Sequence, residues 1–378
     1  MKFQINKPIR LIELFGGIGL QALSLKKEGV LFEHHRLCEV DKFAVTSYNA
    51  IHGTNFTPSN IQDWEGSDLG IIDTDRYIYI VTYSFPCQSL SVSGDATGMD
   101  EGSNTRSSLL WEVIRLLKET PQLPQVLVME NVTQVHEQRN YENWVRLLFV
   151  LTQLGYTNHY ADLNSKDYGV PQDRNRTFMV SLLGDYEYSF PKPIALTEVL
   201  KDRLEQNADS KYYLPIEAFE SLSIKSQGIE SRSIKQKSLF GLPSAPKNNI
   251  GNIVESAKRF RLPEIQVVGR VNHGAYANLH DIARRVYSEN GISPTMHTCG
   301  GGNLEPLVYI EAEQRIRKIT ERESWRLMGI SDEDYDKAKS ALNQTYYNGR
   351  DRSSSQLRKQ SGNGLCISVL AEIFRQML

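Results

Sequence analysis

The alternation of strand-like and helix-like segments over the first half of the chain limits the fold more than any other feature. An apolar strand that runs into a glycine turn is expected at 9–19, and further segments typical of strands occur at 33–40, 77–83, 126–130 and 178–182. Segments with helical spacing follow at 20–28, after Asp41, at 109–118 and at about 141–154. Strands that alternate with helices form a mostly parallel sheet with helices on both faces. We therefore predict an α/β fold of this kind.

The composition of the chain changes near Phe190, where a Phe-Pro-Lys-Pro run interrupts it. Residues 190–311 are rich in Ser, Asn, Lys, Gly and Pro and contain only short apolar runs. Helical periodicity is expected again from about 312, and 369–377 is typical of an amphipathic helix. The predicted domains are a large α/β domain at 1–189, a smaller irregular domain at 190–311 and a return at 312–378 that completes the first.

Composition excludes several classes of protein. The 378 residues are 40% hydrophobic and 23% charged, which is typical of a globular protein. No run approaches the roughly 18 apolar residues of a membrane span, and the N-terminus is too polar for a secretory signal. The four cysteines, Cys38, Cys87, Cys299 and Cys366, are far apart in sequence. We expect no metal site, no membrane association and a reducing cytoplasm.

Positive charge is concentrated in one window of the irregular domain. Residues 225–270 contain nine basic and three acidic residues, so the net charge of this window is +6. Because the net charge of the whole chain is −2, the remainder carries −8. A basic block in a slightly acidic protein indicates nucleic-acid binding. A solvated surface explains the charge equally well.

A glycine turn, FGGIG at 15–19, joins the first predicted strand to the first predicted helix. Glycines there let the backbone approach a ligand at the positive end of the helix. Glu39 follows the next strand, where a carboxylate can accept hydrogen bonds from a ribose diol. The spacing is not GxGxxG, which disfavours a nicotinamide dinucleotide. A tight turn without a ligand is the alternative.

Two further motifs carry reactive side chains at predicted strand ends. Cys87 lies in SFPCQ, directly after the strand at 77–83, where α/β folds bind their ligands. A thiolate is a strong nucleophile once its pKa is lowered, and the polar surroundings argue against a buried structural cysteine. Glu130, in MENV, could act as an acid toward a ring nitrogen. Taken alone, Glu130 is better explained as a cap for the following segment.

The fourth motif places two arginines beside a strand. Arg174 and Arg176 lie in DYGVPQDRNR and, spaced i and i+2 before the strand at 178–182, point to the same side. Their planar guanidinium groups could hold carbonyl oxygens or phosphates. A pair of surface arginines is the alternative.

These four motifs, in this order, resemble the DNA cytosine-5 methyltransferase family. Residues 98–110, with Arg106 and Leu109, resemble its fifth motif. The segment 317–329 is similar to its ninth motif, and QSGNG at 360–364 to its tenth. The matches cover roughly 10–182 and 315–378. The resemblance implies a Rossmann-like, S-adenosylmethionine-dependent methyltransferase fold with a smaller irregular target recognition domain at 190–311.

The resemblance also implies a role for particular residues. Cys87 would attack carbon 6 of a flipped cytosine, and Glu130 would contact ring nitrogen 3 and the exocyclic amine. Arg174 would hold the base carbonyl, with Arg176 fixing that site. The implied cofactor residues are Phe15, Gly16, Gly17, Ile18, Gly19, Glu39, Val40, Asn60, Ile61, Pro86, Leu109, Asn363 and Gly364. The implied DNA contacts are Gln88, Ser89, Ser91, Arg106, Arg259, Arg261 and Thr295.

The chain departs from the family pattern in the cofactor motifs. Gly16 and Leu20 stand where alanine and glycine are usual. Asn60 stands where an aspartate toward the adenine amine is usual, and Asp63 is close enough to be the alternative. The tenth motif reads GNG where serine or alanine is common. None of these changes removes a catalytic group.

The expected function is methyl transfer from S-adenosylmethionine to carbon 5 of a cytosine flipped out of a specific double-stranded DNA site, through a covalent Cys87 adduct. We expect a monomer in the cytoplasm of a bacterial or phage-infected cell, with a separately acting cognate restriction endonuclease as a possible partner.

Three other functions are weighed against this one. A related RNA cytosine methyltransferase would carry Pro-Phe-Thr after the nucleophile, where this chain has Ser89-Leu90-Ser91. A nicotinamide dehydrogenase explains only the glycine turn and Glu39. A DNA-binding regulator on an inactive methyltransferase scaffold is disfavoured by the intact Cys87, Glu130 and Arg174.

Overall fold

The computed structural model describes residues 1–87, 90, 98–103, 105–220, 263–299 and 305–378. The described part of the first half contains seven strands: β1 (Ile9–Leu14), β2 (Phe32–Cys38), β3 (Ile78–Tyr83), β4 (Val126–Asn131), β5 (Tyr156–Asn164), β6 (Gln172–Asp173) and β7 (Asn175–Leu183). The helices of this half are α1 (Leu20–Lys27), α2 (Lys42–His52), α3 (Leu110–Glu119) and α4 (Tyr141–Gln153).

Six of these strands form one central sheet in the order β2-β1-β3-β4-β7-β5. The pairs β1–β2, β1–β3 and β3–β4 are parallel, whereas β7 runs antiparallel to both β4 and β5. The predicted mostly parallel α/β sheet is therefore confirmed. Because β1 to β4 run in the same direction, the residues that follow them meet along one edge, the carboxyl edge of the sheet.

The second half contains the remaining elements. The strands are β8 (Val267–Arg270), β9 (Arg285–Ser288), β10 (Ser293–Pro294), β11 (Leu307–Ile310) and β12 (Arg315–Lys318). The helices are α5 (Ile216–Glu220), α6 (Asp281–Arg284), α7 (Glu321–Arg326), α8 (Asp332–Tyr347), α9 (Ser354–Asn363) and α10 (Ile367–Arg375).

The region predicted to be irregular contains a sheet of its own, in the order β12-β11-β9-β8. The strand β12 lies beyond the predicted boundary at 311. The first helix after that boundary therefore begins at Glu321, not at about 312 as predicted. The two-residue strand β10 leaves this region and pairs with β6. The division into three segments stays a prediction.

Helices cover both faces of the central sheet. Leu11 and Ile80 belong to a core that contains residues of α1 and α10, whereas Ile12 and Val81 pack with residues of α3 and α4. Successive residues of a strand point to opposite faces, so each central strand is apolar on both sides. Every residue of β3 and β4 is buried.

The C-terminal segment returns to the first core. Trp325, Leu357 and Phe374 pack in the same cluster as Leu11, and the Ile5 amide donates to the Met377 carbonyl at 2.7 Å. Within the described ranges, every helix is too short or too polar to cross a lipid bilayer.

Candidate active site at the carboxyl edge of the sheet

The loop after β3 holds Cys87 at the carboxyl edge. The Asn131 side chain, at the end of β4, donates to the Phe85 carbonyl at 3.0 Å. The Ser107 hydroxyl donates to the Pro86 carbonyl at 2.7 Å. Phe85 itself is buried, while Cys87 is half-buried. Hydrogen bonds from two neighbouring segments therefore fix the loop and leave the thiol partly accessible.

Burial and the neighbouring charges have opposing effects on the pKa of the Cys87 thiol. Burial and the Glu130 carboxylate raise the pKa of Cys87, while the Arg176 and Arg174 guanidinium groups lower it. The net shift is upward, so the side chain is a thiol rather than a thiolate at neutral pH. The nucleophile is consequently formed only when its proton is removed.

Glu130 lies near the end of β4, with 7% of its surface exposed. Burial raises the pKa of its carboxyl, and the Arg176 and Arg174 charges oppose that rise. Arg176 Nε lies 3.3 Å from Glu130 Oε1. A carboxyl with a raised pKa holds a proton more readily and can donate it to a ring nitrogen.

The two arginines of the fourth motif have different partners. Arg174 is 3% exposed, and its Nη1 donates to the Met296 carbonyl at 3.1 Å. Its Nη2 donates to the carbonyls of Gly362, at 3.2 Å, and Gly364. Burial and the neighbouring Arg176 lower the pKa of Arg174 to about 9. Arg174 thus binds main-chain carbonyls from two segments, whereas Arg176 pairs with Glu130.

Gln172, to which the sequence analysis gave no role, joins three segments. This fully buried side chain donates to the Leu327 carbonyl at 2.7 Å and accepts from the Met296 amide at 3.0 Å. Thr295, a predicted DNA contact, donates its hydroxyl to the Asp173 carbonyl. These contacts and the β6–β10 pairing fix the 293–296 tract beside Arg174. The signal in the sequence was the glutamine that precedes the two arginines.

The glycine turn and Glu39 lie next to each other at the same edge. The Glu39 carboxylate accepts from the Gly17 amide at 3.0 Å and from the Asp41 amide at 2.8 Å. Burial raises the pKa of Glu39, and these amides oppose that rise. Each carboxylate oxygen has a further lone pair, which a hydroxyl group could use. Val40, beside it, is 71% exposed and offers an apolar surface for a flat ring.

The other predicted cofactor residues differ in exposure. The Asn60 side chain accepts from the Gln62 amide at 3.2 Å and so caps the turn at 61–63. Ile61 is buried, whereas Asp63, the alternative to Asn60, is exposed. Leu109 is half-buried and Asn363 exposed. The Ser59 amide donates to the Glu39 carbonyl at 2.9 Å, which brings the segment that begins with Asn60 close to Glu39.

Two departures from the family pattern, Leu20 and Gly364, compensate for each other in side-chain volume. Leu20 replaces a usual glycine at the start of α1 and is buried. A Cβ atom at Gly364 would lie only 2.4 Å from Leu20 Cδ1. The leucine therefore fills the space that a side chain at 364 would occupy, which explains why this chain combines Leu20 with a glycine in its tenth motif.

Most of the predicted DNA contacts lie outside the described residues: Gln88, Ser89, Ser91, Arg259 and Arg261, with the greater part of the basic window. Two cations of interest are described. Arg106 is exposed at the start of the turn at 106–109. Arg270 pairs with Asp281. Within the part of the chain that the structure describes, no group of three or more His, Cys, Asp or Glu side chains could hold a metal ion.

The raised pKa of Cys87 predicts slow, strongly pH-dependent alkylation. Iodoacetamide reacts with the thiolate, so its rate at Cys87 should rise about tenfold per unit between pH 7 and 8.5 without a plateau. Peptide mass spectrometry would measure the rate. Arg176→Met should slow the reaction further, because the guanidinium group lowers the pKa. A plateau below pH 8 would contradict this assignment.

Comparison with known proteins identifies the family. The chain is 27% identical over 417 residues to the type II methyltransferase M2.ScrFI of Lactococcus lactis subsp. cremoris, covering 98% of this chain and 99% of that protein. It is 28% identical over 368 residues to the type II methyltransferase M.HhaI of Haemophilus parahaemolyticus, with 97% and 93% covered. The solved structure of the Entamoeba histolytica methyltransferase EhMeth shares the fold, with a TM-score of 0.65, 13% identity and 98% of both chains covered. The family model for C-5 cytosine-specific DNA methylases matches residues 9–378, and the chain therefore belongs to that family.

Proposed function

We propose that this DNA cytosine-5 methyltransferase acts on a cytosine flipped out of a specific double-stranded site, takes its methyl group from S-adenosylmethionine and uses Cys87 as the nucleophile. The observation that carries the proposal is the convergence of one thiol, one carboxyl and two guanidinium groups at the carboxyl edge. A base within a duplex cannot reach a half-buried thiol, so the cytosine must leave the stack.

The chemistry of cytosine explains why these groups belong together. Carbon 5 is a poor nucleophile. The Cys87 sulfur, after loss of its proton, forms a bond to carbon 6 while Glu130 gives a proton to nitrogen 3, which makes carbon 5 enamine-like. S-adenosylmethionine supplies an electrophilic methyl group on a sulfonium sulfur. Carbon 5 would bond to this methyl group as the methyl–sulfur bond breaks and leaves its electron pair on the sulfur. Transfer of the carbon-5 proton to water then breaks the Cys87–carbon 6 bond and releases the Cys87 thiolate, and nitrogen 3 returns its proton to Glu130.

Arg174 and Arg176 have different roles in this proposal. Arg176 lies beside Glu130, so it is the better donor to the base carbonyl, a role that the family resemblance implied for Arg174. Arg174 binds the carbonyls of Met296, Gly362 and Gly364 and is a positioning residue. Such hydrogen bonds from a charged group to main-chain carbonyls are strong, and their burial strengthens them further.

The glycine turn and Glu39 fit an adenosine cofactor. Glu39 retains acceptor capacity for a ribose diol, and exposed Val40 offers an apolar surface for adenine. Gly19, the N-cap of α1, has no side chain to cap the helix, and Glu13 accepts from the Ala22 amide only, so we take the amides that precede Ala22 to be the ones that bind a carboxylate. The remaining proposed cofactor residues are Phe15, Gly16, Gly17, Ile18, Asn60, Ile61, Pro86, Leu109, Asn363 and Gly364.

We further propose that the segment 190–311 reads the DNA sequence across a cleft from Cys87. The tract that ends in Thr295 is bound to β6, which directly precedes Arg174, and this would couple DNA contact to the active site. Gln88, Ser89, Ser91, Arg106, Arg259 and Arg261 remain proposed DNA contacts. We also propose that the enzyme is a monomer and that a cognate restriction endonuclease, where one is paired with it, acts separately.

Transfer of labelled methyl tests this function. The enzyme, given S-adenosylmethionine labelled in its methyl group, should label double-stranded DNA and leave RNA unlabelled. Sequencing for 5-methylcytosine should then show modification at one short sequence. Labelled RNA together with unlabelled DNA would overturn the DNA assignment, and scattered modification would overturn site specificity.

A further inference from the structure

The glycine turn at 15–19 has an unusual backbone. Phe15, Gly17 and Gly19 all have positive φ angles, of 56°, 57° and 79°. A phenylalanine in this region is uncommon, and such conformations persist only where the surroundings enforce them. Gly19, at the N-cap of α1, has no side-chain cap. The support for the turn must therefore come from other segments.

His52, the last residue of α2, contacts the turn directly. Its Nε2 lies 3.1 Å from the Ile18 carbonyl oxygen, and Lys26 Nζ lies 3.0 Å from its Nδ1. An ammonium group can only donate, so Nδ1 accepts and the ring proton is on Nε2. That proton is then donated to the Ile18 carbonyl. Burial and the Lys26 charge hold the pKa of His52 near 3, so the ring stays neutral.

The packing around Gly19 is equally close. A Cβ atom at Gly19 would lie 2.2 Å from His52 Nε2 and 2.6 Å from Tyr48 Cε2. The two rings of α2 therefore lie against the backbone of the turn. Glycine at 19 is required both for its φ angle and for this contact.

A second hydrogen-bonded chain holds the other side of the turn. His34 Nδ1 lies 2.8 Å from the Tyr48 hydroxyl, which donates to the buried Glu13 carboxylate. Glu13 also accepts from the Ala22 amide, in the first turn of α1, at 3.3 Å. Side chains of β1, β2 and α2 thus fix the segment on either side of Gly19.

We propose that His52 is a positioning residue for the cofactor: its hydrogen bond to the Ile18 carbonyl holds the glycine turn in the shape that binds S-adenosylmethionine. This inference rests on the proposed function, because it takes the turn to be the cofactor site. His52 acts through the turn and touches no reacting atom. Its loss should lower cofactor affinity and leave the chemistry at Cys87 intact.

The test compares three variants of the full chain. His52→Leu removes the donor, and the Kd for S-adenosylmethionine, measured by calorimetry, should rise roughly tenfold. The KM for S-adenosylmethionine should rise in parallel, while kcat at saturating cofactor and the KM for DNA stay unchanged. His52→Gln keeps a donor toward Ile18 and an acceptor toward Lys26, and it should restore most of the affinity.

His159→Leu is the matched control. His159, on β5, also binds a main-chain carbonyl, that of Tyr186 at 3.0 Å, but it lies on the far edge strand of the sheet. Its loss should leave the Kd for S-adenosylmethionine unchanged. If His52→Leu does not fold, Lys26→Met replaces it and should raise the Kd about threefold, because the ring proton is then no longer held on Nε2.

The outcomes separate the two proposals. A wild-type enzyme that does not bind S-adenosylmethionine would overturn the proposed function. If the wild type binds but His52→Leu, or its replacement Lys26→Met, binds equally well, the role of His52 is overturned. It is also overturned if His159→Leu loses as much affinity, or if His52→Gln is as weak as His52→Leu.

Discussion

Replacing Cys87 with alanine should reduce methyl transfer by at least about a thousandfold, because the proposed mechanism requires the bond between the Cys87 sulfur and carbon 6. Cofactor affinity should be retained, since Cys87 is half-buried in a loop whose hydrogen bonds come from Asn131 and Ser107. Transfer of labelled methyl to DNA measures the loss. DNA that contains 5-fluorocytosine should form a covalent adduct with the wild type, visible on a denaturing gel, and none with Cys87→Ala.

Cys38→Ala is the control for this experiment. It removes a thiol of the same size that is buried at the end of β2, where burial raises its pKa to about 12. This variant should still form the adduct. Another group would be the nucleophile if Cys87→Ala still formed the adduct, or if Cys38→Ala lost the adduct while Cys87→Ala kept it.

Replacing Arg317 with methionine should lower the free energy of unfolding by about 3–5 kcal/mol, the usual cost of leaving one partner of a buried ion pair uncompensated. Arg317 and Glu323 are 1% and 0% exposed, and two hydrogen bonds of 2.6 and 2.8 Å join them. Glu323 also accepts from the amides of Thr320 and Glu205, at 2.8 and 2.7 Å. Urea denaturation followed by circular dichroism would measure the change.

Lys337→Met is the matched control for the ion pair. Lys337 pairs with Glu333 at 2.7 Å on the exposed surface of α8. Solvent screens such pairs, so their loss should not measurably change the urea midpoint. If Arg317→Met behaved like Lys337→Met, the buried pair would not be what joins β12 to α7.

The effect of Arg317 matters for function because of where the pair lies. β12 belongs to the second sheet, whereas α7 packs on the core of the first through Trp325. Gln172 and Arg174 join the same two parts of the chain at the active site. Mutations at these positions should therefore couple stability to catalysis.

The strand pattern and the motifs were predictable because they are local. Buried parallel strands are continuously apolar, so β1, β3 and β4 are visible in the sequence as short apolar runs. The first three motifs lie at the ends of such runs, which is why Cys87 and Glu130 were correctly expected at strand ends. The turn at 15–19 was visible from its glycines alone.

One strand of the central sheet, β5, was not among the predicted strands, and the reason is physical. β5, Tyr156–Asn164, is polar and largely half-exposed, because it is an edge strand that pairs only with β7 within the central sheet. Nothing in its sequence resembles the apolar runs of the central strands. In the same way, the helix expected from about 312 is in fact β12, which forms by pairing with β11.

The sequence by itself therefore determined the α/β class, the order of the motifs and the reactive groups, since periodicity and motif spacing depend on neighbouring residues. Only the tertiary structure decided which partners those groups have. In the structure Arg176 pairs with Glu130, whereas Arg174 donates hydrogen bonds to main-chain carbonyls. It also brings His52 to Ile18. These contacts join residues that are 34 to 190 positions apart in the sequence. They depend on how whole helices and strands pack against one another, which no local sequence pattern encodes.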